Sequence, residues 1–117
     1  MGRLTTHVLD VANGCPGGGI RIDLYRVSER QLQWLGNVVT NSDGRCDAPL
    51  LEGEGYQSGV YQLHIAAGDY YRGRALAVSV QPFLDVVVLQ FGVDASEPHY
   101  HVPLLLSPYS YSTYRGS

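Results

Sequence analysis

Three of the four histidines, His7, His99 and His101, lie in stretches that read as extended chain, and they are the residues best suited to moving a proton at neutral pH. An ordinary imidazole titrates at about 6.5, so at pH 7 most of it is a neutral base. Positions 99 and 101 are two apart and therefore face the same side of a strand. If His7 meets them in space, two chemistries are open. One is general-base attack of water on a substrate. The other is zinc binding, for which a His-x-His pair plus a third histidine is a ligand pattern, although no carboxylate base adjoins it and spacing does not place Asp10 or Asp94. An isolated histidine is common in strands and loops, so none of the three carries the argument alone. His64 stands apart: it alternates with Gln62 and Ala66 against Tyr61, Leu63 and Ile65, which puts it on a solvent face.

Arg45 is the candidate cation. It follows Asn41-Ser42-Asp43-Gly44, a tight-turn sequence, and is expected where the next strand begins. A guanidinium presents a planar fork of donors suited to carboxylates and flat heterocycles. The chain has eight arginines and no lysine, a bias that genome composition also produces, so the count itself carries no functional meaning. Nucleophilic catalysis has no support: Ser42, Ser107, Ser110 and Ser112 fall in turns or the final hairpin, and there is no Gly-x-Ser-x-Gly elbow. Gly17-Gly18-Gly19 follows Pro16 and leads into a strand, which makes it a turn and not a phosphate cradle.

The elements that must position these residues are short strands. Leu4 to Val11 is rich in Thr, Val and Leu, with Thr5, His7, Leu9 and Val11 on one face. Asn13 to Gly19 is turn chemistry, and Ile20 to Val27 alternates cleanly. Gln31 to Thr40 supplies a third strand carrying the only tryptophan, Trp34. Asp47 to Gly59 reads as loop framing at most one short strand, Val60 to Ala66 as strand, and Leu84 to Val93 as strand. One short helix is expected over Asp69 to Ala77, with Asp69 as its N-terminal cap. The chain closes on a strand from His99 to Leu106, a turn at Ser107-Pro108-Tyr109-Ser110, and a second strand. Seven or eight short strands with Gly- and Pro-containing turns predict an all-β fold, a two-sheet antiparallel sandwich.

A length of 117 residues, with 44% hydrophobic and 16% charged, predicts one globular domain over residues 1–117. A net charge of −3 argues against a nucleic-acid partner. No apolar run precedes Leu4 and none is long enough to span a bilayer, so a cytoplasmic protein with no membrane partner is expected. Cys15 and Cys46 are then expected as free thiols, and neither has Cys-x-x-Cys spacing.

The last residues, Tyr111-Ser-Thr-Tyr-Arg-Gly-Ser117, are too rich in aromatic, cationic and hydroxyl groups for a frayed terminus, and the tail is expected to fold inward. Here the sequence resembles a known family. The YRGS end preceded by HYHVPLLLSP, together with LTTHVLD at 4–10, GCPGGG at 14–19 and TNSDGR at 40–45, is similar to the 5-hydroxyisourate hydrolases, the transthyretin-related enzymes of urate breakdown. Gly17, where many members carry Ala, and Leu84-Asp85, where a Pro followed by an acid is more usual, depart from the family pattern without touching a candidate site residue.

The resemblance implies the transthyretin-like sandwich with its one short helix, and a homotetramer with dihedral symmetry around a channel open at both ends. It implies a small-molecule, purine-derived substrate, 5-hydroxyisourate, whose six-membered ring is opened by water at a lactam carbonyl to give 2-oxo-4-hydroxy-4-carboxy-5-ureidoimidazoline. It picks His7, Arg45 and His101 as the catalytic set, with either histidine activating water, and Tyr114 and the terminal Arg115, Gly116 and Ser117 lining the site. His7, Arg45, Tyr114 and Ser117 would touch substrate, and the Ser117 carboxylate would orient a histidine. No cofactor is expected. The alternative from the same fold is a carrier that holds an aromatic molecule, such as a thyroid hormone, in the channel; the histidine-rich, YRGS-terminated set argues against it.

Overall fold

The computed structural model describes residues 2–74 and 80–116. Among the described residues nine strands and one α-helix follow in order: β1 (Arg3–Asp10), β2 (Cys15–Pro16), β3 (Arg21–Ser28), β4 (Gln31–Val39), β5 (Leu51–Glu52), β6 (Gly59–Ala66), α1 (Ala67–Gly73), β7 (Val86–Val93), β8 (His99–Leu106) and β9 (Tyr111–Thr113). They form two sheets, one ordered β2-β1-β8-β9 with β5 also on β1, the other β4-β3-β6-β7. This is the expected sandwich; apart from the two-residue pieces β2 and β5, seven strands remain, within the seven or eight predicted.

The alternation read from sequence decides which side chains meet between the sheets. Leu4 and Val8 of β1, Ile22 and Leu24 of β3, Tyr61, Leu63 and Ile65 of β6, Val87 and Leu89 of β7, and Val102, Leu104 and Leu106 of β8 are buried together. Each such side chain contributes about 1.5–3 kcal/mol on leaving water, so the inner faces fix both sheets in register. The opposite parity of β1 and β8 must then face outward. Thr5 and His7 on β1 and His99 and His101 on β8 share that outer face of the first sheet.

The structure departs from expectation in several places: β2 falls in the stretch 13–19 read as turn, and β7 begins at Val86 and not at Leu84. The β1–β8 pair runs parallel, with Thr5 opposite His101 and His7 opposite Pro103, although every other pair is antiparallel. Tight hairpins force neighbouring strands antiparallel, but β8 arrives from the other sheet after β7, and a sheet-changing connection imposes no such direction. The first strand ends at Asp10, because Val11 begins the turn. The helix begins at Ala67, two residues earlier than predicted, and Asp69 does not cap it. Gly68 N–H bonds to the Asp85 carbonyl at 2.8 Å, which starts the helix where β6 ends, and Asp69 instead pairs with Arg72 within the first turns. The remainder of the predicted helix, 75–77, lies outside the described residues. Cys15 and Cys46 are both free thiols.

Candidate active site

The outer face of β1 and β8 forms the floor of an open cavity of about 440 Å³. Thr5, His7, His99 and His101 come from that floor, Arg45 and Cys46 from the segment after the 41–44 turn, and Tyr114 and Gly116 from the tail. The three histidines singled out by sequence therefore do meet. His7 Nδ1 lies 2.6 Å from His101 Nε2, and the two rings stack with centroids 4.8 Å apart. Thr5 Oγ1 lies 2.7 Å from His101 Nδ1 and 3.0 Å from His99 Nε2. Both nitrogens of His101 are thus engaged, whereas His7 Nε2 has no hydrogen-bond partner among the described residues. Among those residues no group of three or more His, Cys, Asp or Glu is arranged to hold a metal.

Arg45 reaches the site through backbone geometry. Gly44 adopts φ +72°, a left-handed conformation, and a Cβ there would run into the Val8 carbonyl. That close approach lets Val8 N–H bond to the Gly44 carbonyl at 2.8 Å and sets Arg45 in an isolated β-bridge with His7. Arg45 was expected to open a strand; it makes this one bridge and the chain then loops to β5. Among the described residues its guanidinium has no ion-pair partner, so a cation stands uncompensated beside two imidazoles. Burial and the Arg45 charge both push the His7 pKa down. Burial, followed by the charges of His7, Arg45 and His99, pushes His101 down to about 4. At neutral pH both rings are neutral, the form that accepts a proton.

The tail is tied to β8 and not frayed, although residues 109–115 stay exposed where an inward fold was expected. Arg115 lies over the Tyr100 ring at 4.1 Å, donates to the His99 carbonyl at 3.2 Å and approaches Glu97 at 3.9 Å. These contacts clip the tail to β8 and point Arg115 away from the cavity, so it is a clamp and not part of the lining. Gly116 N–H bonds to the His101 carbonyl at 2.7 Å, and a Cβ on Gly116 would stand 2.9 Å from His101 Cδ2. In the register of β8 and β9, Pro103 stands opposite Tyr114, and Pro has no N–H to continue the ladder. Thr113 Oγ1 donates to the Pro103 carbonyl instead, at 2.7 Å, and Tyr114 is left at the cavity edge, 59% exposed. Ser117 lies outside the described residues.

Comparison with known proteins bears on this arrangement. The family described as the HIUase/Transthyretin family matches residues 4–116, nearly the whole chain and every motif named above except the last residue of YRGS, Ser117. The chain belongs to the HIUase/transthyretin family. A relative named 5-hydroxyisourate hydrolase from Pseudomonas aeruginosa is 62% identical over 117 residues, covering 100% of this chain and 93% of its own length. Among solved structures, (S)-allantoin synthase superimposes with a TM-score of 0.92 at 47% identity over 99% of this chain, and the chain spans 44% of that protein. The 5-hydroxyisourate hydrolase of Klebsiella pneumoniae superimposes with a TM-score of 0.82 at 31% identity, covering 100% of both chains.

In this member of the HIUase/transthyretin family Asp10 and Asp94 have structural duties. Asp10 faces the core with none of its surface exposed, takes a 2.6 Å hydrogen bond from the Tyr70 hydroxyl and accepts two more from Asn13. Burial alone would raise its pKa, but those donors outweigh it and the carboxyl is held low. Asp94 closes a turn with Ser96. His64 lies tilted against the Tyr25 ring and bonds to Gln62 on the outer face of the second sheet, away from the cavity. Thr5 was legible only as a member of the His7 face; strand parity placed it there, but nothing in the sequence tied its hydroxyl to a histidine.

Proposed function

We propose that this chain hydrolyses 5-hydroxyisourate in urate degradation, with His7, His101 and Arg45 as the catalytic set. The observation that carries it is the stacked His7–His101 pair, bonded at 2.6 Å, facing the same cavity as Arg45, which has no ion-pair partner among the described residues. His7 Nε2 removes a proton from water as its oxygen attacks the lactam carbonyl carbon. Arg45 balances the charge on the resulting oxyanion. Collapse of the tetrahedral intermediate breaks the ring C–N bond; the departing nitrogen takes back the proton from His7, leaving a carboxylic acid and an opened ring. His101 sits behind His7 and orients it. Tyr114 contacts the flat substrate at the cavity edge, and Ser117 is assigned to the substrate contacts by the family motif alone. No step calls for a metal or cofactor.

The family also contains transthyretin, so membership alone leaves the carrier reading open. Identity of 62% to a hydrolase along the full chain, and a polar cavity floor of imidazoles, favour the enzyme. The protein acts as a cytoplasmic homotetramer. What supports assembly is the pair of unfilled edges: β7 and β9 each end their sheet, both border a second cavity, and Val86, Val88 and Tyr111 on them are 43–52% exposed. Among the described residues no helix is long and apolar enough to cross a membrane.

The deciding experiment follows the ultraviolet decay of fresh 5-hydroxyisourate, made from urate by urate oxidase, against a protein-free blank. Decay accelerated in proportion to protein, with an optically active product, is the expected result. Decay at the blank rate from folded protein would overturn the hydrolase and return the carrier.

A further inference from the structure

We infer that Thr5 is a positioning residue of this reaction, its hydroxyl locking the tautomers of His101 and, through it, of His7. The inference rests on the hydrolase reading for its kinetic consequence, but its structural content stands on geometry. Thr5 is directly opposite His101 in the parallel β1–β8 register, on a β-branched side chain whose χ1 is restricted. Its Oγ1 touches two rings, His101 Nδ1 at 2.7 Å and His99 Nε2 at 3.0 Å, and His101 Nε2 touches His7 Nδ1 at 2.6 Å. Four groups from two adjacent strands are joined in one chain of hydrogen bonds.

A threonine hydroxyl has one proton, so it can donate to only one of its two ring neighbours and must accept from the other. A neutral imidazole likewise donates from one nitrogen and accepts at the other. The whole chain therefore has two consistent polarities. In one, Thr5 donates to His99 Nε2, His101 carries its proton on Nδ1 and donates it to Thr5, and His7 donates from Nδ1 into His101 Nε2. His7 Nε2 then holds a free lone pair and can take a proton from water. In the other, His99 donates to Thr5, Thr5 donates to His101 Nδ1, and His101 donates from Nε2 to His7 Nδ1. His7 then carries its proton on Nε2 and has no lone pair to offer. Thr5 makes the three rings change together, and the hydrolase reading, which needs a free lone pair on His7 Nε2, selects the first of the two polarities. Take the hydroxyl away and the half-buried His101 N–H loses its acceptor, which frees the ring to adopt either tautomer.

Thr5→Val removes the hydroxyl at nearly constant shape, and Thr5→Ser restores it. With turnover read from the ultraviolet decay, Thr5→Val is expected to lower kcat by about 10- to 100-fold with KM within about 2-fold of wild type, and Thr5→Ser to recover most of the rate. Imidazole 15N shifts supply the independent readout: wild type should show His7 and His101 as single Nδ1–H tautomers, and Thr5→Val a mixture. Unchanged kcat or unchanged tautomers in folded Thr5→Val would overturn the lock. So would a wild-type spectrum with His101 protonated on Nε2 or averaged between forms, a result that needs no variant to fold. A wild-type protein that does not accelerate decay would sink the hydrolase reading instead, while the tautomer spectrum would still decide the role of Thr5.

Discussion

His7 and His101 differ in what their nitrogens have left to do, and this separates two residues that share a motif role. His101 is bonded on both sides, to Thr5 and to His7, while His7 keeps one nitrogen free among the described residues. His7→Ala, His101→Ala and Arg45→Ala are each expected to lower the rate by at least on the order of 100-fold in the ultraviolet assay, with circular dichroism and oligomeric state unchanged. Near-normal turnover in any folded variant would remove that residue from the set. Because burial and Arg45 hold the His7 pKa below its ordinary value, His7 remains a neutral base as pH falls through about 6.5. The acid limb of kcat/KM should therefore have its midpoint below that value, and a midpoint at or above it would contradict the assigned base. Gly116 belongs to the same scale. Gly116→Ala would press a methyl on His101 Cδ2, now 2.9 Å from that position, and is expected to lower kcat about 10-fold with little loss of stability.

At the scale of elements, the site depends on two places where the backbone breaks regular pairing. The 41–44 turn delivers Arg45 because Gly44 tolerates a positive φ and lies against the Val8 carbonyl. Gly44→Ala meets both obstacles, a strained backbone and a clash with β1, and should lower thermal stability by about 1–3 kcal/mol while displacing Arg45 from His7. Thermal melts and the decay assay would register both effects; a variant as stable and active as wild type would show that the turn has another way to present Arg45. The second break is at Pro103, where the missing N–H interrupts the β8–β9 ladder and leaves Tyr114 at the cavity edge. Both breaks lie beside the catalytic floor, and the regular ladder elsewhere holds that floor still.

For the whole molecule, the site occupies an outer sheet face and not the core between sheets, so one chain leaves it open. Leu9 and Tyr114, 37% and 59% exposed, lie on or beside that face, and the proposed tetramer would wall it into a channel. Dissociation to dimers, by dilution or by a charge at Val88 on the β7 edge, is expected to lower specific activity; fully active dimers in parallel sedimentation and kinetic runs would contradict the shared channel. The histidine pair also ties stability to pH. A folded pKa below the unfolded value of about 6.5 means the unfolded chain binds more protons between the two, so stability contributed by neutral His7 and His101 is complete above about 6.5 and declines as pH falls toward the folded values, about 4 for His101. The melting temperature should fall over that interval, and less steeply in His101→Gln.

The sequence by itself determined the seven longer strands, because side-chain alternation is a local property and the inner faces it marks are the ones the structure buries, as in Leu4, Val8, Leu63 and Ile65; the two-residue pieces β2 and β5 are too short to carry an alternation. It also determined that His99 and His101 share a face, since two residues of separation leaves a strand no choice. Only the tertiary structure decided that β8 runs parallel to β1 with Thr5 opposite His101, a register that places partners 96 positions apart within a hydrogen bond. No local pattern records such a pairing. It follows from which apolar faces of two distant strands fit the same core, and the polar contacts on the far side of the sheet, His7 with His101 and Thr5 with both His99 and His101, are fixed as a consequence.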